Sequence, residues 1–231
     1  MSRYVAVIYP KDEGNTYPQK LCNHLSERFF DTSEVEKSKI LDIGCSKGTA
    51  LQSFGKSGNF KLFGIDIRNE NVDGIEFKNC NLETEKIPYP DNFFDFIYSK
   101  SVLEHVVNTD NFLTEAYRVL KPGGQVVFLT PDWGSQYRYF WDDYTHVRPF
   151  TRKSLRDALL IHGYDDVVCE HFYQLPFVWK RPYLKFVPKI ISVLPDFFKW
   201  KNSEQRNTKD RKLIRFSKEK MLLVSGTKGK E

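Results

Sequence analysis

Ile40-Leu41-Asp42-Ile43-Gly44-Cys45-Ser46-Lys47-Gly48-Thr49 is the stretch that decides the fold. It predicts a buried strand that runs into a glycine turn and then into the start of a helix. Glycine at position 44 lets the backbone approach a ligand closely, and glycine at position 48 lets the helix start pack against the strand. The N–H groups at such a helix start suit a carboxylate or another anion.

The spacing between this turn and a following acidic residue is informative. A second strand is predicted over residues 60–67, and Asp66 stands near its end, 18 residues after Gly48. At about this distance, doubly wound folds bind the two hydroxyls of a ribose through an acid. A glycine turn alone is weakly diagnostic, because tight turns need glycine for structural reasons. The turn and the acid together predict a site for a ribose-containing ligand.

Strand-like and helix-like segments alternate along the rest of the chain. This alternation predicts a parallel sheet covered by helices on both faces. Further strands are predicted at 39–43, 74–80, 93–99, 125–130, 167–173 and 221–225, and helices at 17–30, 49–56, 110–120 and 151–161. The helix at 110–120 ends at Lys121-Pro122-Gly123-Gly124, a strong stop signal.

The bulk composition is that of a folded globular protein. The chain has 231 residues, of which 40% are hydrophobic and 28% are charged. No apolar run is long enough to span a membrane and no secretory leader is visible, so we expect a cytoplasmic protein. The four cysteines are scattered without metal-ligand spacing, which is typical of reduced thiols in a cytosol.

The net charge of +5 is unevenly distributed. Residues 180–231 contain 15 Lys/Arg and 5 Asp/Glu, a balance of +10, so the first 179 residues sum to −5. The front of the protein is therefore not expected to bind nucleic acid in general.

Three further motifs follow the glycine turn in order. Cys80-Asn81-Leu82 ends strand three, Phe94-Asp95-Phe96-Ile97-Tyr98-Ser99 forms strand four, and Val102-Leu103-Glu104-His105-Val106 leads towards the Lys121 stop signal. With these motifs, residues 38–130 resemble the class I S-adenosylmethionine-dependent methyltransferases, particularly the ubiquinone-biosynthesis-like small-molecule subgroup. A nicotinamide dehydrogenase would carry G-x-G-x-x-G instead of this turn.

The resemblance implies both the fold and its organisation. It implies a Rossmann-like, doubly wound α/β sheet of about seven strands, mostly parallel with an antiparallel last strand, and helices on both faces. We expect one methyltransferase domain over residues 1–231. Its parts are a helical lead at 1–37, a cofactor-binding core and acceptor loop at 38–174, a basic aromatic insertion at 175–216, and the last strand and tail at 217–231.

The resemblance also implies S-adenosylmethionine as the cofactor and gives the first strand and its turn a role. Residues around the turn would hold the methionine end of the cofactor, together with the end of strand four; they are Asp42, Gly44, Cys45, Gly48 and Ser99. The middle glycine of the usual loop is Ser46 here, which leaves the assignment standing.

The adenosine end of the cofactor is assigned to strands two and three. Asp66 would bind the ribose hydroxyls, and Ile67 would flank the adenine. Asn81 would hydrogen-bond the adenine amino group, and Leu82 would contact the ring. Asn81 replaces the usual Asp, and its amide oxygen can still accept a hydrogen bond. Only residues 68–74 separate strands two and three, which is short for a parallel crossover, so we expect a loop in place of a helix there.

The acceptor chemistry points to the segment after strand five. An alcohol acceptor loses its proton as the methyl group arrives, so a general base helps. His146 suits this role and Asp143 could orient its ring; alternatively, the pair only ties the loop to the next helix. His105 is the rival base, with a structural role as its alternative. Asp142, Asp143 and His146 could form part of a metal site, but no further ligands have matching spacing, and we expect no metal.

The run Thr145-His146-Val147-Arg148-Pro149-Phe150-Thr151 is similar to bacterial methyltransferases of surface-polysaccharide and secondary-metabolite pathways. That similarity makes a sugar or another small hydroxylated metabolite the leading acceptor. A lipid-linked acceptor at a membrane surface and a non-catalytic binding scaffold are the alternatives. The nearly complete cofactor motif argues against the scaffold.

The insertion mixes aromatic side chains, prolines and lysines. Residues 175–200 could contact a membrane surface, where aromatics and cations are favoured. They could equally form a lid over the acceptor, pack on the core or join a dimer, and their prolines would interrupt any long helix. The basic run Lys209, Arg211, Lys212 and Arg215 could meet RNA, but no recognised binding module accompanies it, so nucleic acid is not an expected partner.

Overall fold

The computed structural model describes residues 15–30, 38–68, 72–195 and 212–230. Within these ranges, seven strands form one sheet in the order β3-β2-β1-β4-β5-β7-β6. Strands β1 to β5 pair in parallel, and β7 lies antiparallel between β5 and β6. The strands are β1 Lys39–Ile43, β2 Lys61–Asp66, β3 Ile75–Asn79, β4 Phe94–Lys100, β5 Leu120–Pro131, β6 Asp165–Phe172 and β7 Met221–Thr227. This is the predicted topology, including the antiparallel last strand.

Helices connect these strands within the described ranges. They are α1 Tyr17–Phe29, α2 Thr49–Gly55, α3 Thr109–Val119, α4 Trp133–Gln136, α5 Arg152–Ile161, α6 Pro176–Lys180, α7 Phe186–Ile191 and α8 Lys212–Lys218. Short 3₁₀ turns cover Leu103–His105, Phe140–Asp142 and Pro182–Lys185. Between β2 and β3, the described residues 67–68 and 72–74 contain no helix, as the short connection predicts.

Both faces of the sheet are covered by apolar packing. On one face, α3 buries Phe112 and Ala116 and α5 buries Leu155 and Leu159, with a spacing of four residues in each helix. On the other face, α1 and α2 bury Leu21, Leu25, Leu51 and Phe54. Two separate cores on opposite faces confirm the doubly wound arrangement.

The segment at 121–124, directly after α3, is part of a strand and not the loop that its turn residues predict. The sequence predicts a loop at 121–124 and a strand from residue 125, but β5 already begins at Leu120. Phe94 pairs with Leu120, and the register between β4 and β5 then shifts before Phe96 pairs with Gln125. Gly123, at a φ of 75°, lies in this irregular stretch. The Pro-Gly-Gly segment therefore ends the helix and forms a bulge within the strand.

The described part of the 175–216 insertion consists of short helical segments, in agreement with the expectation that its prolines prevent one long helix. Pro176 and Pro182 stand in the first turns of α6 and of the 3₁₀ turn that follows it. Trp179 anchors the segment, because its ring stacks on Phe172 and His24 at centroid distances of 5.1 Å. The predicted aromatic residues 197–200 and the basic residues Lys209 and Arg211 lie outside the described residues.

None of the described helices combines the length and apolar character needed to cross a bilayer.

Candidate active site

The carboxyl ends of β1, β2 and β4 meet at the glycine turn. Ile43 pairs with Ile65 on one side and with Ser99 on the other. The N–H groups of Gly44 and Cys45 both donate to the carbonyl of Ile65, at 2.8 and 3.1 Å. The turn is therefore fixed against β2 at the edge where open α/β sheets bind their ligands.

Both turn glycines have backbones that require glycine. Gly44 has a φ of 78°, and a Cβ there would lie 2.3 Å from Cγ2 of Val102. Gly48 has a φ of 70°, and its Cβ would lie 2.6 Å from Cδ1 of Ile75. Side chains other than glycine are strained at such φ values, and here they would also collide with packed neighbours.

We expect Gly44→Ala to lower the free energy of unfolding by about 2–4 kcal/mol, since left-handed strain and overpacking against Val102 add together. Urea denaturation of the two proteins measures the difference. Gly134→Ala is the matched control, because the nearest atom to its added Cβ is 3.6 Å away. Equal losses in both variants would contradict the steric explanation.

The Asp66 carboxylate lies directly against the turn. Its Oδ2 accepts the Ser46 N–H at 2.9 Å, and its Oδ1 accepts the N–H and Nε–H of Arg68 at 3.0 and 3.2 Å. Arg68 also donates to Oγ of Ser46 at 3.0 Å. A carboxylate oxygen has two lone pairs, so Asp66 can hold the turn and still accept from a ribose hydroxyl. The Arg68 guanidinium covers one of these oxygens, a contact that the sequence did not predict.

The residues predicted to flank the adenine lie beside Asp66. Cys80 donates its N–H to the Asp66 carbonyl at 3.0 Å, which brings the following residue next to this site. Asn81 is exposed, and its Oδ1 accepts the N–H of Glu83 at 3.1 Å. Ile67 is 45% exposed, so it presents an apolar surface on which a ring can pack, whereas Leu82 is buried.

The predicted methionine end contains a buried acid. Asp42 is 3% exposed, and its carboxylate accepts no hydrogen bond from any of the described residues. Burial raises the pKa of Asp42, the neighbouring Asp66 charge raises it further, and Lys100 opposes both. A buried carboxylate without a donor fits the ammonium group of a bound methionine moiety. Ser99 lies beside it and donates to the Ile43 carbonyl at 2.8 Å.

Lys100 is a site residue that the sequence did not indicate. It ends β4, one residue after Ser99. Burial lowers the pKa of its ammonium, while the acidic groups of Glu104, Cys22 and Asp42 raise it. The influence of both Asp42 and Glu104 on this pKa puts the Lys100 amine near the predicted methionine end and near the turn that carries His105.

The two candidate bases, predicted separately, lie together. Atoms of Glu104, His105 and His146 that can bind metals all lie within 4.8 Å of one another, and the two imidazole rings are 4.8 Å apart. The Glu104 carbonyl accepts the N–H groups of Val147 and Arg148, at 2.8 and 3.2 Å. These bonds draw the loop after β5 onto the turn after β4, over a separation of some forty residues of sequence.

A hydrogen bond shows which ring nitrogen of His146 carries a hydrogen. Its Nδ1 is 2.6 Å from the Phe140 carbonyl oxygen, which can only accept. Nδ1 therefore carries the proton, and in the neutral ring Nε2 is the basic nitrogen. Nε2 is 3.9 Å from Oδ2 of Asp143. Asp143 thus lies where a carboxylate would stabilise a protonated His146.

His105 belongs to the same network. Thr145 donates its hydroxyl hydrogen to Oδ1 of Asp143 at 2.7 Å, so its oxygen accepts from Nδ1 of His105 at 2.9 Å. Burial lowers the pKa of His105, and the nearby His146 lowers it further. His105 is accordingly neutral near pH 7, with its proton on Nδ1.

Burial raises the pKa of Glu104 to about 7, and its Oε2 accepts the hydroxyl of Thr130 at 2.8 Å. One carboxylate and two imidazoles could hold a divalent cation. The sequence suggests Asp142, Asp143 and His146 as part of a metal site. In the structure, His146 instead lies close to Glu104 and His105. The expectation that no metal is used stays a prediction.

Residues 15–169 match the family described as a methyltransferase domain. The chain belongs to this family. Class I S-adenosylmethionine-dependent methyltransferase is therefore the class that the sequence motifs and the sheet order both indicate. The buried Asp42 and the Asp66 carboxylate at the glycine turn fit the cofactor of that class.

Several curated relatives are methyltransferases. The chain is 33% identical over 106 residues to the human mitochondrial ubiquinone biosynthesis O-methyltransferase, a match covering 40% of this chain and 28% of the relative. It is 28% identical over 167 residues to phosphoethanolamine N-methyltransferase 3 of Arabidopsis thaliana, covering 63% of this chain and 32% of the relative. The matched region thus spans about a third of the length of these relatives.

Solved structures share the fold. Phosphoethanolamine N-methyltransferase 2 of Haemonchus contortus, in complex with S-adenosyl-L-methionine, superposes with a TM-score of 0.64 at 15% identity, covering 99% of this chain and 60% of the other. An S-adenosylmethionine-dependent methyltransferase from Archaeoglobus fulgidus gives a TM-score of 0.60 at 19% identity, covering 91% and 94%.

Proposed function

We propose that this protein transfers the methyl group of S-adenosylmethionine to a hydroxyl of a small acceptor, with a sugar or polysaccharide precursor as the leading class. The single observation behind the choice of a hydroxyl is the pair His105 and His146 at the end of β4. Both rings keep their proton on Nδ1, so each neutral ring has its basic nitrogen at Nε2. Two imidazoles that can accept a proton on Nε2, next to the end of β4, suit an acceptor that must lose a proton.

The cofactor would supply a methyl group bound to a positively charged sulfur, and this sulfur is a good leaving group. Asp42 would hold the cofactor ammonium, and Asp66 would hold its ribose hydroxyls. His146 would take the acceptor proton on Nε2 as the acceptor oxygen attacks, and Asp143 would stabilise the resulting imidazolium at its 3.9 Å distance. His105 would keep this arrangement in place through Thr145 and Asp143.

The relatives do not identify the atom that accepts the methyl group, because their names include O-, N- and C-methyltransferases. The assignment to oxygen therefore depends on the histidine pair, whereas the choice of a sugar among hydroxylated acceptors depends on the resemblance of residues 145–151 to methyltransferases of polysaccharide and secondary-metabolite pathways.

Calorimetric titration with S-adenosylmethionine tests the cofactor, and a mass-spectrometric screen tests the acceptor. We expect one cofactor site per chain, and a gain of one methylene on at least one sugar nucleotide or other hydroxylated metabolite. A chain that binds the cofactor but methylates only amines would overturn the hydroxyl assignment. Cofactor binding with no transfer to any acceptor class would favour the scaffold.

A lipid-linked acceptor at a membrane surface is the second candidate. It is favoured by the apolar side chains Phe186, Ile190 and Val193, which are 55, 63 and 79% exposed on and after α7. Lys185 and Lys189 lie in the same segment and would meet anionic lipid. Flotation with liposomes, with and without anionic lipid, tests this candidate. Loss of flotation in Phe186→Glu would support it, and absence of flotation in the unaltered protein would dismiss it.

A further inference from the structure

A polar cavity opens at the same edge of the sheet as the glycine turn. Pro131 pairs with Met221, so the end of β5 and the start of the antiparallel β7 lie together at this edge. The cavity has a volume of about 240 Å³, several times the roughly 30 Å³ that one water molecule occupies in the liquid. Ligands of open α/β sheets bind beyond this edge, so the cavity lies on the ligand side of the fold.

Cations and hydroxyls line this cavity. Its walls include Arg138, Lys218 and Lys220, together with the hydroxyls of Ser135, Tyr137 and Tyr139. No acidic residue of the described ranges belongs to the lining. Guanidinium, ammonium and hydroxyl donors are the groups with which proteins bind phosphate.

Hydrogen bonds between the walls hold the cavity in shape. The Lys220 N–H donates to Oγ of Ser135 at 3.2 Å, and Nε2 of Gln136 donates to the Lys220 carbonyl at 2.6 Å. The Lys218 ammonium donates to the Ser192 carbonyl at 2.9 Å, which fixes its position. These bonds join α4 and the residue after α7 to the junction between α8 and β7, so the walls form a prebuilt site.

The two acids closest in sequence to this lining contact side chains outside it. Oδ2 of Asp132 lies 3.7 Å from Nε2 of His171. Oε2 of Glu219 accepts from Nε of Arg215 at 2.7 Å. By contrast, the Lys220 ammonium forms no ion pair with any residue in the part of the chain that the structure describes. Lys220 therefore brings to the cavity a cation that no carboxylate of the described residues contacts.

One loop connects this cavity to the candidate base. Five of the six residues 134–139 contribute to the lining, and the next residue, Phe140, supplies the carbonyl that accepts from Nδ1 of His146. The Trp133 ring packs on the Phe140 ring at 5.5 Å, which stiffens the same loop. An anion bound in the cavity would thus be held by the segment that also positions His146.

We propose that this cavity binds a phosphate group of the methyl acceptor, so that the substrate is a phosphate ester. The identification of the substrate rests on the proposed methyltransferase function. The existence of an anion-binding site rests only on the cavity, so the two claims can be tested separately.

Binding of inorganic phosphate to the full chain, measured by calorimetry at low ionic strength, tests the site. Lys220→Gln keeps the backbone bonds and removes the unpaired cation, so we expect phosphate affinity to fall about tenfold. Lys20→Gln is the matched control, because Lys20 lines a different cavity, of about 970 Å³, between α1 and the segment before β2. Absence of phosphate binding, or an equal loss in the two variants, overturns the proposal.

Flotation with vesicles of phosphatidylcholine, with and without phosphatidic acid, distinguishes a lipid headgroup from a soluble phosphate ester. Flotation that needs phosphatidic acid and is lost in Lys220→Gln assigns the phosphate to a lipid. Phosphate binding without flotation assigns it to a soluble acceptor. Titration of the same samples with S-adenosylmethionine separates the two proposals: phosphate binding without cofactor binding would defeat only the methyltransferase, and the reverse result would defeat only this site.

Discussion

Asp66→Asn is expected to weaken S-adenosylmethionine binding by about 30-fold or more in calorimetric titration. The ribose hydroxyls would lose a charged acceptor, and hydrogen bonds to charged groups contribute about 1.5–3 kcal/mol each. The substitution also removes a charge that Arg68 contacts through Nε at 3.2 Å. The Ser46 N–H at 2.9 Å can still bond to an amide oxygen, so we expect the turn itself to survive.

The matched control for this substitution is Asp95→Asn. Asp95 also accepts a backbone N–H, that of Lys39 at 2.8 Å, and pairs with a cation, Lys121 at 2.6 Å. It lies at the start of β4, at the opposite edge of the sheet. The control should keep full cofactor affinity with a similar change in thermal stability. If both variants lose cofactor affinity equally, Asp66 acts through stability and does not bind the ribose.

The fold was predictable because its signals are local. The strand at 39–43, the glycine turn and Asp66 each follow from short patterns of apolar and glycine residues, and parallel strands bring their carboxyl ends to one edge. Strand ends were less predictable. The 121–124 segment contains strong turn residues, but backbone hydrogen bonds of Gly123 and Gly124 with Lys228 continue β5 through it, because tertiary hydrogen bonding overrides local preference.

The acceptor side was only partly predictable. His105 and His146 stood out as residue types, but no periodic pattern indicated that they meet, because the Glu104 carbonyl bonds that join their loops are irregular. Arg68 and Lys100 carried no sequence signal at all, since a charged residue after a strand is usually solvated. Glu104 was visible in the Glu-His pair, and only its burial and its contact with Thr130 mark it as part of the site.

His146→Ala is expected to lower the rate of methyl transfer by about 100- to 10,000-fold on the acceptor found by the screen, with cofactor affinity unchanged. The reason is that Nε2 of His146 is the basic nitrogen and Asp143 lies 3.9 Å from it. His105→Ala should cost less, because the hydrogen bond of His105 to Thr145, which bonds Asp143 in turn, gives it a positioning role. A larger loss of methyl-transfer rate in the His105 variant would instead make His105 the base and His146 the positioning residue.

His162→Ala is the matched control for the loss of a histidine. Its Nδ1 lies 2.7 Å from the Ala158 carbonyl and its Nε2 lies 3.5 Å from Asp110, and its side chain is 13% exposed against 14% for His146. The two histidines therefore have the same local chemistry, but His162 lies at the end of α5, outside the group of Glu104, His105 and His146. Added imidazole should restore part of the activity of His146→Ala, because a soluble base can replace Nε2. If imidazole restores nothing while the acceptor KM rises and kcat holds, His146 only anchors its loop, and the proton must leave by another route.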